Sequence, residues 1–264
     1  MSDGTDATWG LAGRVCVLAG GTGGIGAALA RQLHAEGAAL VLGYRRERGR
    51  AEGVAAALRA TGPAPVVLVG GDLAEARARD GILEAARALG APYGLVVLAG
   101  DPARPRDRAP TQAEMEASCR DNYLGPVLLA RAFGEEVAAT GTGGAIVLLS
   151  TMQGVALFEG SVSYAAPKAA LVHAARLMAK EWGGAKDVRV NVVAPGVTAA
   201  GMAEASIRSG KYDRFVAGGV IRRFGRAEDV ARAIRFFLEP DGYVTGQVLI
   251  VDGGLTLRRD ALAG

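Results

Sequence analysis

The stretch SVSYAAPKAAL (161–171) holds two residues whose types and spacing suit proton chemistry, Tyr164 and, four positions on, Lys168. The chain has only four lysines among 30 basic residues, so a lysine beside a phenol calls for a reason beyond solubility. A free phenol titrates near pH ~10, too high for efficient proton exchange at neutrality. A neighbouring ammonium stabilises the phenolate and lowers that value. On a helix, residues four apart share a face, so both side chains can act on one group. The spacing alone also fits an ordinary solvated helix face. Pro167 lacks an N–H and harms a helix interior, which predicts that Tyr164 and Lys168 lie close to a helix start.

The elements that must position this pair are set by hydropathy. Apolar runs at 14–20, 38–44, 64–72, 94–100, 144–150, 188–196 and 246–254 read as strands. Helical patterns lie at 24–37, from the second strand to about Ala60, between the third and fourth strands, and from about Thr111 to Ala139. The helix carrying Tyr164 falls between the fifth and sixth strands. The strands are continuously apolar, as when helices cover both faces of a parallel sheet. Alternation of the two element types predicts right-handed crossovers and a single-domain α/β fold, a Rossmann-type doubly wound parallel sheet spanning residues 1–264. Two segments break the pattern. In DPARPRDRAP (101–110), Arg104, Arg106 and Arg108 either steer an anionic substrate or form a solvated loop. From about 197 to 220, small residues and a Gly pair predict a mobile substrate segment.

The first strand leads into AGGTGGIGAALA, where Gly20, Gly24 and Gly26 mark a strand-to-helix turn. Glycines let the main chain approach a pyrophosphate, and the succeeding helix directs its free N–H groups and positive dipole end at that anion. A tight turn with close helix packing would need the same residues, but the first-strand context favours a dinucleotide site. An NAD site commonly has a carboxylate at the end of the second strand. Here Tyr44 is succeeded by Arg45 and Arg46, whose guanidiniums can pair with a 2′-phosphate, so NADP(H) is the expected cofactor. The same arginines could simply begin a solvated helix, with Glu47 competing for them. Asp72 either accepts from an adenine amino group or caps a helix.

Bulk properties exclude other classes. Formal charge is +3, with arginines interspersed among acids and small residues, which argues against a nucleic-acid binder. Cys16 and Cys119 lack metal-ligand spacing and suggest no disulfide framework, so no metal and a reducing cytoplasm are expected. The opening MSDGTDATWG is not a signal pattern, and no apolar run reaches the length of a membrane span. His34 and His173 lack partners at metal or triad spacing and read as structural; Trp182 and Cys16 read as packing.

These motifs, in this order, resemble the short-chain dehydrogenase/reductase family over nearly the whole chain. AGGTGGIG is similar to T-G-x-x-x-G-I-G, with Ala19 in place of the threonine. DNYLGPVLLARA resembles the N-x-x-G segment, LLSTMQGVALFEGSVSYAAPKAAL the S-x-x-G…Y-x-x-x-K segment, and RVNVVAPG the R-V-N-x-x-x-P-G segment. The C-terminal stretch is similar to bacterial ketoacyl reductases. The resemblance implies that Tyr164 donates a proton, Lys168 tunes it and holds the nicotinamide ribose, and Asn122 anchors a water in the proton relay. The serine position falls on Thr151, with Ser150 as the alternative. The implied cofactor contacts add Thr22, Ile25, Leu73, Ala99, Gly100, Pro195, Gly196 and Thr198 to the residues above. N-N-A-G is replaced by VLAG (97–100), and Ala200 stands where the family has a threonine, a contact that Thr198 could partly supply. The implied activity is an NADPH-dependent ketoreductase acting on a β-ketoacyl or polyketide ketone, free or linked to a carrier protein or CoA. An NAD-dependent alcohol dehydrogenase and a non-catalytic dinucleotide sensor are the alternatives. Dimers or tetramers, and no nucleic-acid or membrane partner, are expected.

Overall fold

The computed structural model describes residues 10–102 and 108–258. Arg104 and Arg106 lie outside the described residues. Seven parallel strands form one sheet in the order β3-β2-β1-β4-β5-β6-β7. They are β1 (Val15–Ala19), β2 (Ala39–Tyr44), β3 (Val66–Gly70), β4 (Pro92–Val97), β5 (Gly144–Leu149), β6 (Val188–Pro195) and β7 (Val248–Val251). The order reverses between β1 and β4, where a doubly wound sheet opens a crevice at its carboxyl ends. Every expected strand is present. The fourth stops earlier than its apolar run, because Leu98 and Ala99 leave the sheet with both N–H groups donated to the Ala19 carbonyl, at 2.8 and 3.1 Å.

Strand side chains alternate between two core layers. Val15, Val17 and Ala19 face α3 (Ala76–Leu89), α5 (Gly125–Thr140) and α6 (Val162–Trp182). Cys16 and Leu18 face α1 (Gly24–Ala35), α2 (Arg48–Arg59) and α9 (Ala227–Phe237). With both faces covered, β1 is buried throughout, which is why its sequence is apolar without a polar alternation. Full burial of a side chain such as Leu18 contributes about 2 kcal/mol. Cys16 belongs to this core, and burial pushes its thiol up to about 12. His34 is also structural: buried, its Nε2 lies 3.0 Å from the Ala64 carbonyl. Trp182 packs onto Gly134 of α5, where a side chain would collide with the indole.

Two expectations are corrected. The long helix from Thr111 is three pieces. Thr111 and Glu114 form a capping box, α4 runs Gln112–Cys119, a π-helical turn covers Arg120–Leu124, and α5 comes next. The extra residue of a π turn shifts the apolar face, but α4 before it has only 8 residues, too short a pattern for the shift to be read in hydropathy. The segment after 197 is also less irregular than its composition suggests. It contains α7 (Glu204–Arg208) and α8 (Asp213–Ala217), anchored by a small core of Val197, Phe215, Val220 and Ile221 with Met152 and Leu255. Helices this short carry no readable period, and their apolar partners are distant in sequence. Arg108 pairs bidentately with Glu114 at 2.9 and 2.7 Å and completes the exposed cap of α4. Among the described residues, no helix is long and apolar enough to cross a membrane.

Candidate active site

The glycine turn sits at the carboxyl end of β1. Gly26 lies so close to the preceding turn that a Cβ there would fall 2.7 Å from the Gly21 Cα, so α1 can rest on its own leading turn only without a side chain. The N-cap of α1 is Gly23, with no side-chain cap, which leaves the first N–H groups of the helix available to an anion. Over this end lies the segment that comes after β6. A Cβ on Gly24 would fall 2.9 Å from the Gly201 nitrogen and 3.0 Å from the Ala200 Cβ. The backbone thus forms a narrow glycine-walled cradle at a helix N-terminus, and it fits a dinucleotide pyrophosphate. Thr22 is buried in the turn and Ile25 packs on the adjoining core.

At the next strands Arg45 is not simply solvated. Its Nη1 donates to Asp121 Oδ2 at 2.8 Å and stands 3.8 Å from Asp72 Oδ2, while Nη2 is 3.6 Å from Asp101 Oδ2. The hydrogen bond to Asp121, with the charges of Asp121, Asp72 and Asp101, holds Arg45 above its ordinary pKa. Arg46 is exposed, and among the described residues Glu47 pairs with neither arginine. The side chain of Tyr44 lies against Gly70, where a Cβ would be 2.9 Å from its hydroxyl. Asp72 does not cap α3, whose N-cap is Glu75. Its Oδ1 closes a tight turn by accepting from Ala74 N–H at 3.0 Å, and its other oxygen faces Arg45.

The opposite end is sealed and mostly neutral. Lys168 is 3% exposed, and its ammonium donates to the Leu149 carbonyl at 2.9 Å. Burial pulls its pKa down to about 8. Tyr164 lies half-buried one turn earlier, in the first turn of α6. Asn122, in the π turn and fully buried, clamps the main chain of Asp101: its Oδ1 accepts from Asp101 N–H at 3.0 Å and its Nδ2 donates to the Asp101 carbonyl at 2.7 Å. Between Asn122 and Lys168 passes Gly100; a Cβ there would be 2.8 Å from Asn122 Oδ1 and 3.0 Å from Lys168 Nζ. The Asn side chains absent from VLAG are replaced by apolar packing, with Val97 and Leu98 both buried.

Pro167 has a consequence within α6. It cannot donate to the Ser163 carbonyl four residues back. The Ser118 hydroxyl takes that carbonyl at 2.6 Å and accepts from Asn122 Nδ2 at 3.0 Å. The proline vacancy thereby ties the start of α6 to the π turn. The two hydroxyls at the serine position differ. Ser150 donates to the Lys168 carbonyl at 3.1 Å and is 4% exposed. Thr151 accepts from Gln153 N–H at 3.4 Å, a bond that does not use its proton. Thr198 donates to the Gly196 carbonyl at 3.2 Å, so its proton is turned into its own loop rather than offered in place of the missing threonine.

All the expected site residues lie at or beyond the carboxyl ends of β1 to β6 or on the helices that succeed them, as the strand order requires. Sequence reasoning missed Asp101, Asp121 and Ser118. The carbonyl freed by Pro167 was legible from the i−4 rule, but its partner was not.

Over residues 19–256 the sequence matches the family model described as Enoyl-(Acyl carrier protein) reductase. It is 30% identical over 261 residues to NADPH-dependent aldehyde reductase 2, chloroplastic, of Arabidopsis thaliana, covering 94% of this chain and 95% of that one. It is 33% identical over 252 residues to galactitol 2-dehydrogenase (L-tagatose-forming) of Cereibacter sphaeroides, covering 94% and 96%. Its fold matches that of a short-chain type dehydrogenase/reductase from Mycobacterium ulcerans with a TM-score of 0.88 at 26% identity, covering 97% and 99%. The chain belongs to the short-chain dehydrogenase/reductase family. It is an NAD(P)-dependent oxidoreductase of carbonyl and alcohol groups.

Proposed function

We propose that this protein is an NADP(H)-dependent ketoreductase whose substrate is a β-ketoacyl or polyketide ketone, free or linked to a carrier protein or CoA. The observation that carries this reading is the start of α6, where Tyr164 stands one turn before a buried lysine whose ammonium is anchored on Leu149. The nicotinamide, when bound, supplies the hydride for the carbonyl carbon. The Tyr164 hydroxyl gives its proton to the substrate oxygen, and the Lys168 charge stabilises the phenolate left behind. The Thr151 hydroxyl donates to the same substrate oxygen. Asn122, through its fixed place in the π turn, holds the water that returns a proton to Tyr164. Arg45 and Arg46 bind the 2′-phosphate.

The small residues of 197–220 form a mobile wall that admits a bulky ketone. Assembly into a dimer or tetramer is part of the proposal; the exposed Leu124 in the π turn, Leu128 and Leu177 on the long helices, and Leu249 and Ile250 on β7 support it. A reducing cytoplasm is the proposed location, supported by the free thiols Cys16 and Cys119.

A second reading, an NAD-dependent alcohol dehydrogenase, is favoured by the three carboxylates around Arg45 and by the likeness to a galactitol dehydrogenase. Purified protein tested with NADPH and NADH against β-ketoacyl thioesters, decalones and quinone-type polyketides separates the two. Faster oxidation of NADPH on any of these is the expected result. No reduction of the panel, with turnover of polyols and NAD, would replace the first reading by the second.

A further inference from the structure

Arg45 is the residue on which the NADP(H) reading depends, and three carboxylates already claim it. Asp72 reaches it from the end of β3, Asp101 from beyond β4, and Asp121 from the π turn between α4 and α5. Asp121 holds it by a hydrogen bond of 2.8 Å, against separations of 3.8 Å to Asp72 and 3.6 Å to Asp101. It is also the most enclosed of the three, with 14% of its side chain exposed against 35% and 37% for Asp72 and Asp101. The other oxygen of Asp121 has a longer ionic contact, 3.7 Å from Nε of the exposed Arg120, which does not replace the bond to Arg45.

Such a corner treats the two dinucleotides differently. A ribose 2′-hydroxyl is neutral and can donate to a carboxylate. A 2′-phosphate is a dianion that must take the Arg45 guanidinium from Asp121 and leave a largely enclosed carboxylate without its short bond. The phosphate gains charge-assisted hydrogen bonds, but it competes with a bond of the same kind already formed.

We propose that Asp121 is a specificity-determining residue: by holding Arg45 it competes with the 2′-phosphate and keeps the preference for NADP(H) over NAD(H) far below what two arginines at this position would give. The inference rests on the proposed cofactor role of Arg45. Asp121 neighbours Asn122 in one π turn, so the element that serves the reaction end also sets discrimination at the adenosine end.

The test is binding, independent of turnover. Dissociation constants for NADPH and NADH are measured by titration calorimetry on the wild type, Asp121→Asn, Asp101→Asn, Arg45→Ala and the Arg45→Ala/Asp121→Asn double variant, each checked for native circular dichroism. Asp121→Asn is expected to raise the NADPH-over-NADH preference about tenfold, chiefly by tightening NADPH. Asp101→Asn, which loses a longer contact, raises it about twofold to threefold. Without Arg45 the effect of Asp121→Asn shrinks below about twofold, because the competition has lost its object. An unchanged or lowered preference in Asp121→Asn overturns the proposal, as does the full effect persisting without Arg45. The underlying reading fails in its own way: Arg45→Ala leaves the wild-type preference untouched, or neither dinucleotide binds. Should Asp121→Asn not fold, Asp121→Ser takes its place and decides by the same sign.

Discussion

The two ends of the crevice are built on opposite electrostatic plans. At the proposed reaction end, Lys168 is a buried cation among hydroxyls, carbonyls and an amide, and the hydrogen bonds around it join well-buried groups. At the proposed adenosine end, the side chains of Arg45, Asp72 and Asp101 are 32% to 37% exposed, and their contacts with one another are ionic. Buried hydrogen bonds fix geometry and are little screened by salt, whereas partly exposed ion pairs can exchange partners and are screened. The first plan suits a proton transfer that tolerates little displacement. The second suits recognition of a charged group whose presence or absence must be sensed. One π turn supplies both, with Asn122 facing one way and Asp121 the other.

The contrast can be broken most sharply at the reaction end. Tyr164→Phe is expected to lower kcat about a thousandfold while the dissociation constant for NADPH stays within about threefold. Steady-state kinetics beside titration calorimetry check this, and parallel losses in both would show that the two ends are not separable. Thr151→Ala should lower kcat/KM about a hundredfold through loss of the donor to the substrate oxygen. Ser150→Ala should instead cost about 1 kcal/mol of stability, seen as a lower Tm, with kcat changed less than about fivefold. The reverse pattern would move the serine role to Ser150.

At the adenosine end, Arg45→Ala should reduce the NADPH-over-NADH preference about tenfold and flatten the salt dependence of NADPH binding. The smallest effect is in pH. Lys168 is pulled down to about 8 by burial, so its charge is lost as pH rises through that value. Only the charged form stabilises the phenolate, so kcat/KM for reduction should fall about fourfold between about pH 7 and about pH 8.5. Lys168→Arg, charged throughout this range, should remove the alkaline limb even at a lower overall rate. The same shift acts on stability with its own sign. Between about 8 and the ordinary lysine value the unfolded chain binds more protons than the folded one, so this group's contribution to stability rises with pH there.

Much of the architecture is legible in the sequence. Seven apolar runs correspond to seven strands. For the inner strands a sheet covered on both faces leaves no room for polar alternation, and local hydropathy records that directly. The edge strands β3 and β7 are apolar though only partly covered. The glycine turn is legible for a related reason: Gly26 meets a backbone only five residues away, so the constraint and its cause share one stretch of sequence. Pro167 is only half a guide: Tyr164 does lie in the first turn of α6, but Pro167 and Lys168 stand inside the helix, where Ser118 takes the carbonyl the proline cannot reach. Hydropathy fails at the helix from Thr111, which it runs through without a break, and at the segment after 197, where it finds no helices. The shift at the π turn comes after only eight residues of α4, and helices of five residues have too little rhythm to read.

By itself the sequence determined the features that near neighbours dictate: the order of elements, the glycine cradle, and the Tyr164–Lys168 spacing. Only the tertiary structure decided which groups meet across the crevice. Arg45 and Asp121 are 76 positions apart and Ser118 and Ser163 are 45 apart, and no local rule joins them. It also decided that Ser150 spends its proton on Lys168 while Thr151 does not. Hydrogen bonds and ion pairs act over a few ångströms of space, and chain distance places no such limit on which residues the fold brings within reach.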